Sequence, residues 1–174
     1  MFARSFTFAL LALLLPGCAS YHMGVRSLYA PDVATVFVPM FESASFRREL
    51  GERLTEAVIK EIELKTPYKA VGSADGADSV LSGRIVRDSK AVLVENGNDE
   101  ARQVEFGLVV EVSWVNRRGD LIRDPRALPL PPPVLALQET ASLVPEAGQT
   151  MVTAQQESID ELATRIVEMM EIPW

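Results

Sequence analysis

QVEFGLVVEVSW, Gln103 to Trp114, alternates without a break. Val104, Phe106, Leu108, Val110, Val112 and Trp114 fall on one side, and Gln103, Glu105, Gly107, Val109, Glu111 and Ser113 on the other. Successive side chains of a strand point to opposite faces, so six apolar positions at period two predict a half-buried strand with one face on a core. A turn brackets it on each side, Asn96-Gly97-Asn98-Asp99 before and Asn116-Arg117-Arg118-Gly119 after.

The flanking segments extend the sheet. Ser79 to Glu95 is apolar and β-branched in two pieces, Val80 to Val86 and Ala91 to Val94, and its alternation breaks near Asp88, which predicts a bulge or bend there. Val33 to Pro39 and Val134 to Leu143 also read as strands. Between the long strand and the last one lies DPRALPLPPP, Asp124 to Pro133. Five prolines in that stretch exclude a helix or a central strand and predict an extended surface loop, either a rigid spacer or a PxxP-type ligand.

Two segments carry helical periodicity. Phe46, Leu50, Leu54, Val58 and Ile62 recur every four residues behind Ser45 as a plausible N-cap, and the pattern stops near Thr66-Pro67. Gly51 costs this helix about 1 kcal/mol against alanine, which implies close packing on the sheet. Ile159, Leu162, Ala163, Ile166, Val167 and Met170 trace a second helix, which Pro173 is expected to end. The order strand, helix, strand, strand, strand, helix predicts an α+β two-layer sandwich, with two helices packed on one face of a four-stranded sheet. The second face, with Val109 and Val115 amid Glu105 and Glu111, suits a partner or a solvated surface equally well.

The start of the chain has a different character. Arg4 precedes an apolar run from Phe6 to Leu15, too short to span a bilayer, and Leu15-Pro16-Gly17-Cys18 follows. This resembles a bacterial lipobox, in which the thiol receives a lipid; Pro16 is not the usual residue at its place. The expected organisation is a lipoprotein signal peptide over 1–17, a lipidated tether over 18–32 and a single domain over 33–174. Multiple acylation would make attachment to a membrane effectively permanent, since each buried methylene contributes about 0.8 kcal/mol.

Charge and composition narrow the function. With 17 Lys and Arg against 24 Asp and Glu, the net charge is −7, which argues against nucleic acid as a partner. The single histidine, His22, rules out any Ser/His/Asp set in the body. No phosphate or dinucleotide loop occurs. Asp75-Gly76-Ala77-Asp78 reads as a turn rather than a calcium loop, because no acid follows at the required spacing. An unassigned pair of carboxylates remains conceivable for a hydrolase. The reading is a non-enzyme without cofactor or metal. Arg84, Arg87 and Lys90 on one strand, and Arg117 and Arg118 with Arg123 and Arg126 around the next turn and loop, are candidate contacts for phosphate groups or an acidic partner.

Taken together, the chain resembles the LPS-assembly lipoprotein LptE family. The residues that carry the resemblance are Cys18-Ala19-Ser20-Tyr21-His22-Met23-Gly24, the strand ending Val38 to Ser43, the helix with Gly51 to Ala57, the strand entry Ala77 to Ile85, and Arg165-Ile166-Val167 in the closing helix. The resemblance implies a lipid anchor at Cys18 in the inner leaflet of the outer membrane. It also implies a β-barrel partner of the LptD type, which the lipoprotein plugs and helps assemble for lipopolysaccharide insertion, and direct contact with lipopolysaccharide as a further property of the family. The acidic body and the Asp124 to Pro133 loop depart from better-known members. The alternative is another envelope lipoprotein, a cell-wall synthase activator or a secretion-pore subunit.

Overall fold

The computed structural model describes residues 28–47, 49–122 and 134–171. Cys18, His22, Arg123, Arg126, the proline-rich stretch and Pro173 lie outside the described residues. In chain order the elements are β1 (Thr35–Phe37), β2 (Glu42–Ser43), α1 (Leu50–Lys65), β3 (Lys69–Val71), β4 (Ser79–Glu95), β5 (Ala101–Asn116), β6 (Leu135–Leu143), a 3-10 turn (Pro145–Ala147) and α2 (Met151–Glu168).

The alternating stretch is the middle of β5, and all six of its apolar residues are buried. β5 pairs antiparallel with β4 on one side and β6 on the other. The register breaks in β4 between Ile85 and Arg87, which places the expected bulge beside Asp88. Asn96 closes the β4–β5 turn, its side-chain carbonyl accepting the N–H groups of Asn98 and Glu100. Asn116 does the same for Arg118 and Asp120.

The sheet is larger than the four strands the sequence predicts. Among the described residues it has six, in the order β3-β1-β4-β5-β6, with β2 beside β1 on the edge of β4. β1, β2 and β3 pair in parallel, so the sheet is mixed. The strands missed are β2 and β3, of two and three residues. Elements that short show no periodicity; their neighbours in space define them.

Both helices cover the face that carries the buried side of β5, and they run in the same direction. Arg53 Nη2 donates to Gln156 Oε1 (2.7 Å) and Thr164 Oγ1 to Glu61 Oε1 (2.9 Å), the same sequence offset at both points. Leu54, Val58 and Ile62 of α1 and Ile159, Leu162 and Ile166 of α2 are buried between them and the sheet. α2 opens on a Thr150/Thr153 capping box and ends at Glu168, before Pro173 is reached.

The start of α1 differs from expectation. The helix begins at Leu50, after Glu49 at φ 72° with no side-chain cap. Ser45 instead accepts the N–H of Arg47, a local turn that competes with helix formation, and Phe46 is fully exposed. What fixes the start is Phe41. A Cβ on Gly51 would stand 2.3 Å from the Phe41 carbonyl oxygen, and one on Gly83 of β4 would meet the Phe41 ring at 2.6–2.9 Å. Thr55 completes the contact: its hydroxyl accepts the Phe41 N–H (2.9 Å) and donates to the Gly51 carbonyl (2.7 Å).

Gly51→Ala and Gly83→Ala should therefore each destabilise the protein by about 1–3 kcal/mol, the range for overpacking a filled core, despite the gain in helix propensity at position 51. Gly72→Ala, with open space around it, should stay within about 0.5 kcal/mol of wild type. Urea unfolding of the three variants decides this; equal midpoints for all would remove Phe41 from its role.

Candidate functional site

The helices leave the opposite face of the sheet uncovered. On β5 this face carries Glu105, Val109, Glu111, Ser113 and Val115; on β4 it carries Ser82, Arg84 and Arg87; on β6 it is small and polar. Arg84 lies opposite Glu111 in the β4–β5 register and 4.0 Å from Glu42 on β2. These three surround a shallow groove of about 300 Å³, closed by Pro39, Met40, Ser113 and Val134. Pro39, Met40 and Val134 come from segments far apart in the sequence, which is why pattern reading could not assemble the groove.

The five cations singled out in the sequence do not form one patch. Arg84 and Arg87 lie on the open face, while Lys90 lies opposite Phe106 and so points to the helix side, beyond the helices. Arg117 and Arg118 sit at the far end of β5, near Ser79, roughly 17 Å from Arg84 along the strand. Arg117 has a structural task. It pairs with Asp78 (2.9 Å) and donates to the Ala77 carbonyl (2.6 Å) and the Gly76 carbonyl, tying two turns together. Among the described residues, Arg87, Lys90 and Arg118 have no ion-pair partner.

Asp78, read from sequence as part of a turn, is a junction between strands. Its carboxylate accepts from the Thr35 hydroxyl (2.9 Å) and from the N–H groups of Ala34 (3.0 Å) and Thr35 (2.9 Å). Its own N–H donates back to Thr35 Oγ1 (2.9 Å). The Thr35 bond, the two backbone donors and nearby Arg117 hold its carboxyl below the usual value of 3.8.

At the same end of the sandwich the chain enters the body. Tyr29 and Ala30, counted with the tether in the sequence, are buried. Tyr29 donates to the Lys65 carbonyl (3.0 Å) and meets Tyr68 edge-on, with centroids 5.5 Å apart. Tyr68 accepts the Ala30 N–H (2.8 Å) and stacks toward Trp114, whose indole N–H donates to Ser79 Oγ (3.0 Å). Burial pushes the Tyr68 hydroxyl up to about 12. No helix among the described residues is long and apolar enough to cross a membrane.

A family model described as LptE, lipopolysaccharide-assembly, matches residues 33–171. The comparison with curated proteins finds no match. Among solved structures, a protein from Xanthomonas campestris is similar at 9% identity and TM-score 0.52, covering 78% of this chain and 82% of that one. A hypothetical protein from Chlamydia trachomatis is similar at 12% identity and TM-score 0.51, covering 78% and 94%. Rare lipoprotein B from Shewanella oneidensis is similar at 17% identity and TM-score 0.45, covering 77% and 91%. At such identities the first two bear on the fold alone, and the third, at a TM-score below 0.5, carries no argument.

The lowered Asp78 value fixes the sign of a pH effect. Its contribution to stability is full above the ordinary carboxylate value of 3.8 and is lost as pH falls through the lowered one. Asp78→Asn should melt below wild type at pH 7, and the gap should narrow as pH drops below about 4. Thermal melts at pH 7, 4 and 3 test it; a gap that stays constant would show that the charge contributes nothing.

Proposed function

The chain belongs to the LptE lipopolysaccharide-assembly family, and from that membership we propose that it is a lipoprotein of the bacterial outer membrane that plugs and helps assemble an LptD-type β-barrel. The observation that carries the reading is the family match over residues 33–171, which takes in nearly all of the described body. Cys18, in its lipobox-like setting, supplies the anchor, and the tether leads from it to the buried Tyr29. The body then meets the barrel wall by shape and by polar contacts, with no reaction assigned to it. The open face around Arg84, Glu42 and Glu111 offers such contacts in both signs, a mixture that favours registry over raw affinity.

The cations fit unequal parts. Arg84 lies 4.0 Å from Glu42 and opposite Glu111 in the register, and Arg117 is committed to Asp78. Arg87, Lys90 and Arg118 are the positions left for an acidic partner or for lipopolysaccharide itself.

The lipidated, tagged protein, purified from detergent-solubilised outer membranes, should bring down a large β-barrel in roughly equal amount by mass spectrometry. Recovery of a peptidoglycan synthase, or of no other protein at all, would replace this reading with the synthase-activator or pore-subunit alternative. Cys18→Ser should release the protein from the membrane fraction while leaving its melting temperature unchanged, because position 18 lies ahead of the folded body. Retention in the membrane would refute the anchor.

A further inference from the structure

The asparagine turns at the two ends of β5 are built alike. At the β4–β5 turn the Asn96 side-chain carbonyl accepts the N–H groups of Asn98 (2.9 Å) and Glu100 (2.9 Å), and its Nδ2 donates to Glu100 Oε2 (2.6 Å). At the turn after β5, Asn116 accepts from Arg118 (2.8 Å) and Asp120 (3.0 Å) and donates to Asp120 Oδ2 (3.3 Å). In both, the asparagine N–H donates to the carbonyl of the residue that closes the turn, Glu100 (3.0 Å) or Asp120 (2.8 Å).

The residue after the asparagine separates them. Arg117 follows Asn116, and its N–H is occupied, donating to the Asp78 carbonyl (3.1 Å). Gly97 follows Asn96; it is exposed, and its N–H has no acceptor among the described residues. No heavy atom lies within 4 Å of where a Gly97 Cβ would stand. An unencumbered backbone nitrogen therefore adjoins a carboxamide whose oxygen is already polarised by two N–H donors.

We propose that Asn96 is a modification site of the folded protein, converting to aspartate and isoaspartate with loss of ammonia. The Gly97 nitrogen adds to Asn96 Cγ and the Cγ–Nδ2 bond breaks. The proton of that nitrogen departs with Nδ2 as ammonia, leaving a cyclic imide. Water then opens the imide at one of its two carbonyls, and the new carboxyl releases its proton. Water is the one co-reactant. The fold sets the pace, because the carboxamide must leave its Glu100 bond to swing toward Gly97, so the reaction draws on molecules whose hairpin tip has opened. The product loosens that tip. A carboxylate replaces the Nδ2 donor that lay 2.6 Å from Glu100, with Glu95 and Asp99 close by in the chain, and isoaspartate lengthens the main chain inside the turn that sets the hairpin register. None of this depends on the barrel reading.

The test holds the full chain in detergent at mildly alkaline pH and maps its peptides by mass spectrometry over time. Asn96 should gain the mass of an amide-to-acid exchange and label as isoaspartate with an isoaspartyl methyltransferase, while Asn116 stays intact. Glu100→Ala, which removes the Nδ2 acceptor, should speed conversion about tenfold, the worth of one hydrogen bond to a charged group. Unfolding in urea should speed it further. Gly97→Ala should slow it with the melting temperature unchanged, since the position has open space and no positive φ. Equal conversion of Asn116, or a rate that Glu100→Ala leaves unchanged, would overturn the proposal. So would an Asn96 still intact in the folded wild type and in Glu100→Ala once the urea-unfolded chain has fully converted.

Discussion

Phe41 is the point on which the two layers register. Its ring lies over Gly83 of β4, its carbonyl lies against Gly51 of α1, and its N–H is held by Thr55 one turn further along the helix. Each contact excludes a side chain larger than hydrogen at its glycine. The contact therefore sets two things at once, the height of α1 above the sheet and its position along β4. Leu50, Leu54, Val58 and Ile62 follow from that placement, since a helix fixed at one turn presents its stripe at a fixed azimuth.

The far end of the sandwich is closed by a different kind of chemistry. Tyr29, Tyr68, Trp114 and Ser79 form a chain of aromatic contacts and hydrogen bonds from the first described residues to the start of β4. Asp78 and Arg117 run alongside it, joining β1, the β4 entry and the turn after β5. Apolar packing positions the helices at the middle, while polar clamps fix the ends of strands, where backbone groups would otherwise lack partners. α2 joins the two regions, because it runs parallel to α1 from its Thr150 cap toward Glu171 beside Tyr29.

Much of this was legible in the residues, and the reasons divide along physical lines. β5, β6, the bend in β4, both asparagine-centred turns and the buried stripes of both helices all leave a periodic or turn signature in the local sequence. β2 and β3 leave none, because a strand of two or three residues exists only through the strand it pairs with. Phe46 extends the apolar stripe of α1 by spacing, yet tertiary packing at Gly51 starts the helix four residues later and strands it in solvent. Gly51 itself was correctly informative: an unfavourable helix residue pointed to a close approach, although the neighbour is the backbone leading into β2 and not the sheet surface. Of the candidate site, the cations were visible as a composition but not as a geometry. Only the register separates Arg84, faced by Glu111 and Glu42, from Arg117, which holds a turn.

The resulting body has a direction. The chain enters at the Tyr29 end, and the β4–β5 hairpin, 17 residues long on the β4 side, carries its tip to the opposite end, roughly 55 Å away. The 3-10 turn ahead of α2 reaches that end on the β5 side, through the Arg102–Glu146 ion pair, while on the β4 side Val92, Leu93 and Val94 are exposed. The length of one hairpin thus separates an end clamped by aromatic contacts and hydrogen bonds from an end whose apolar side chains are exposed among the described residues.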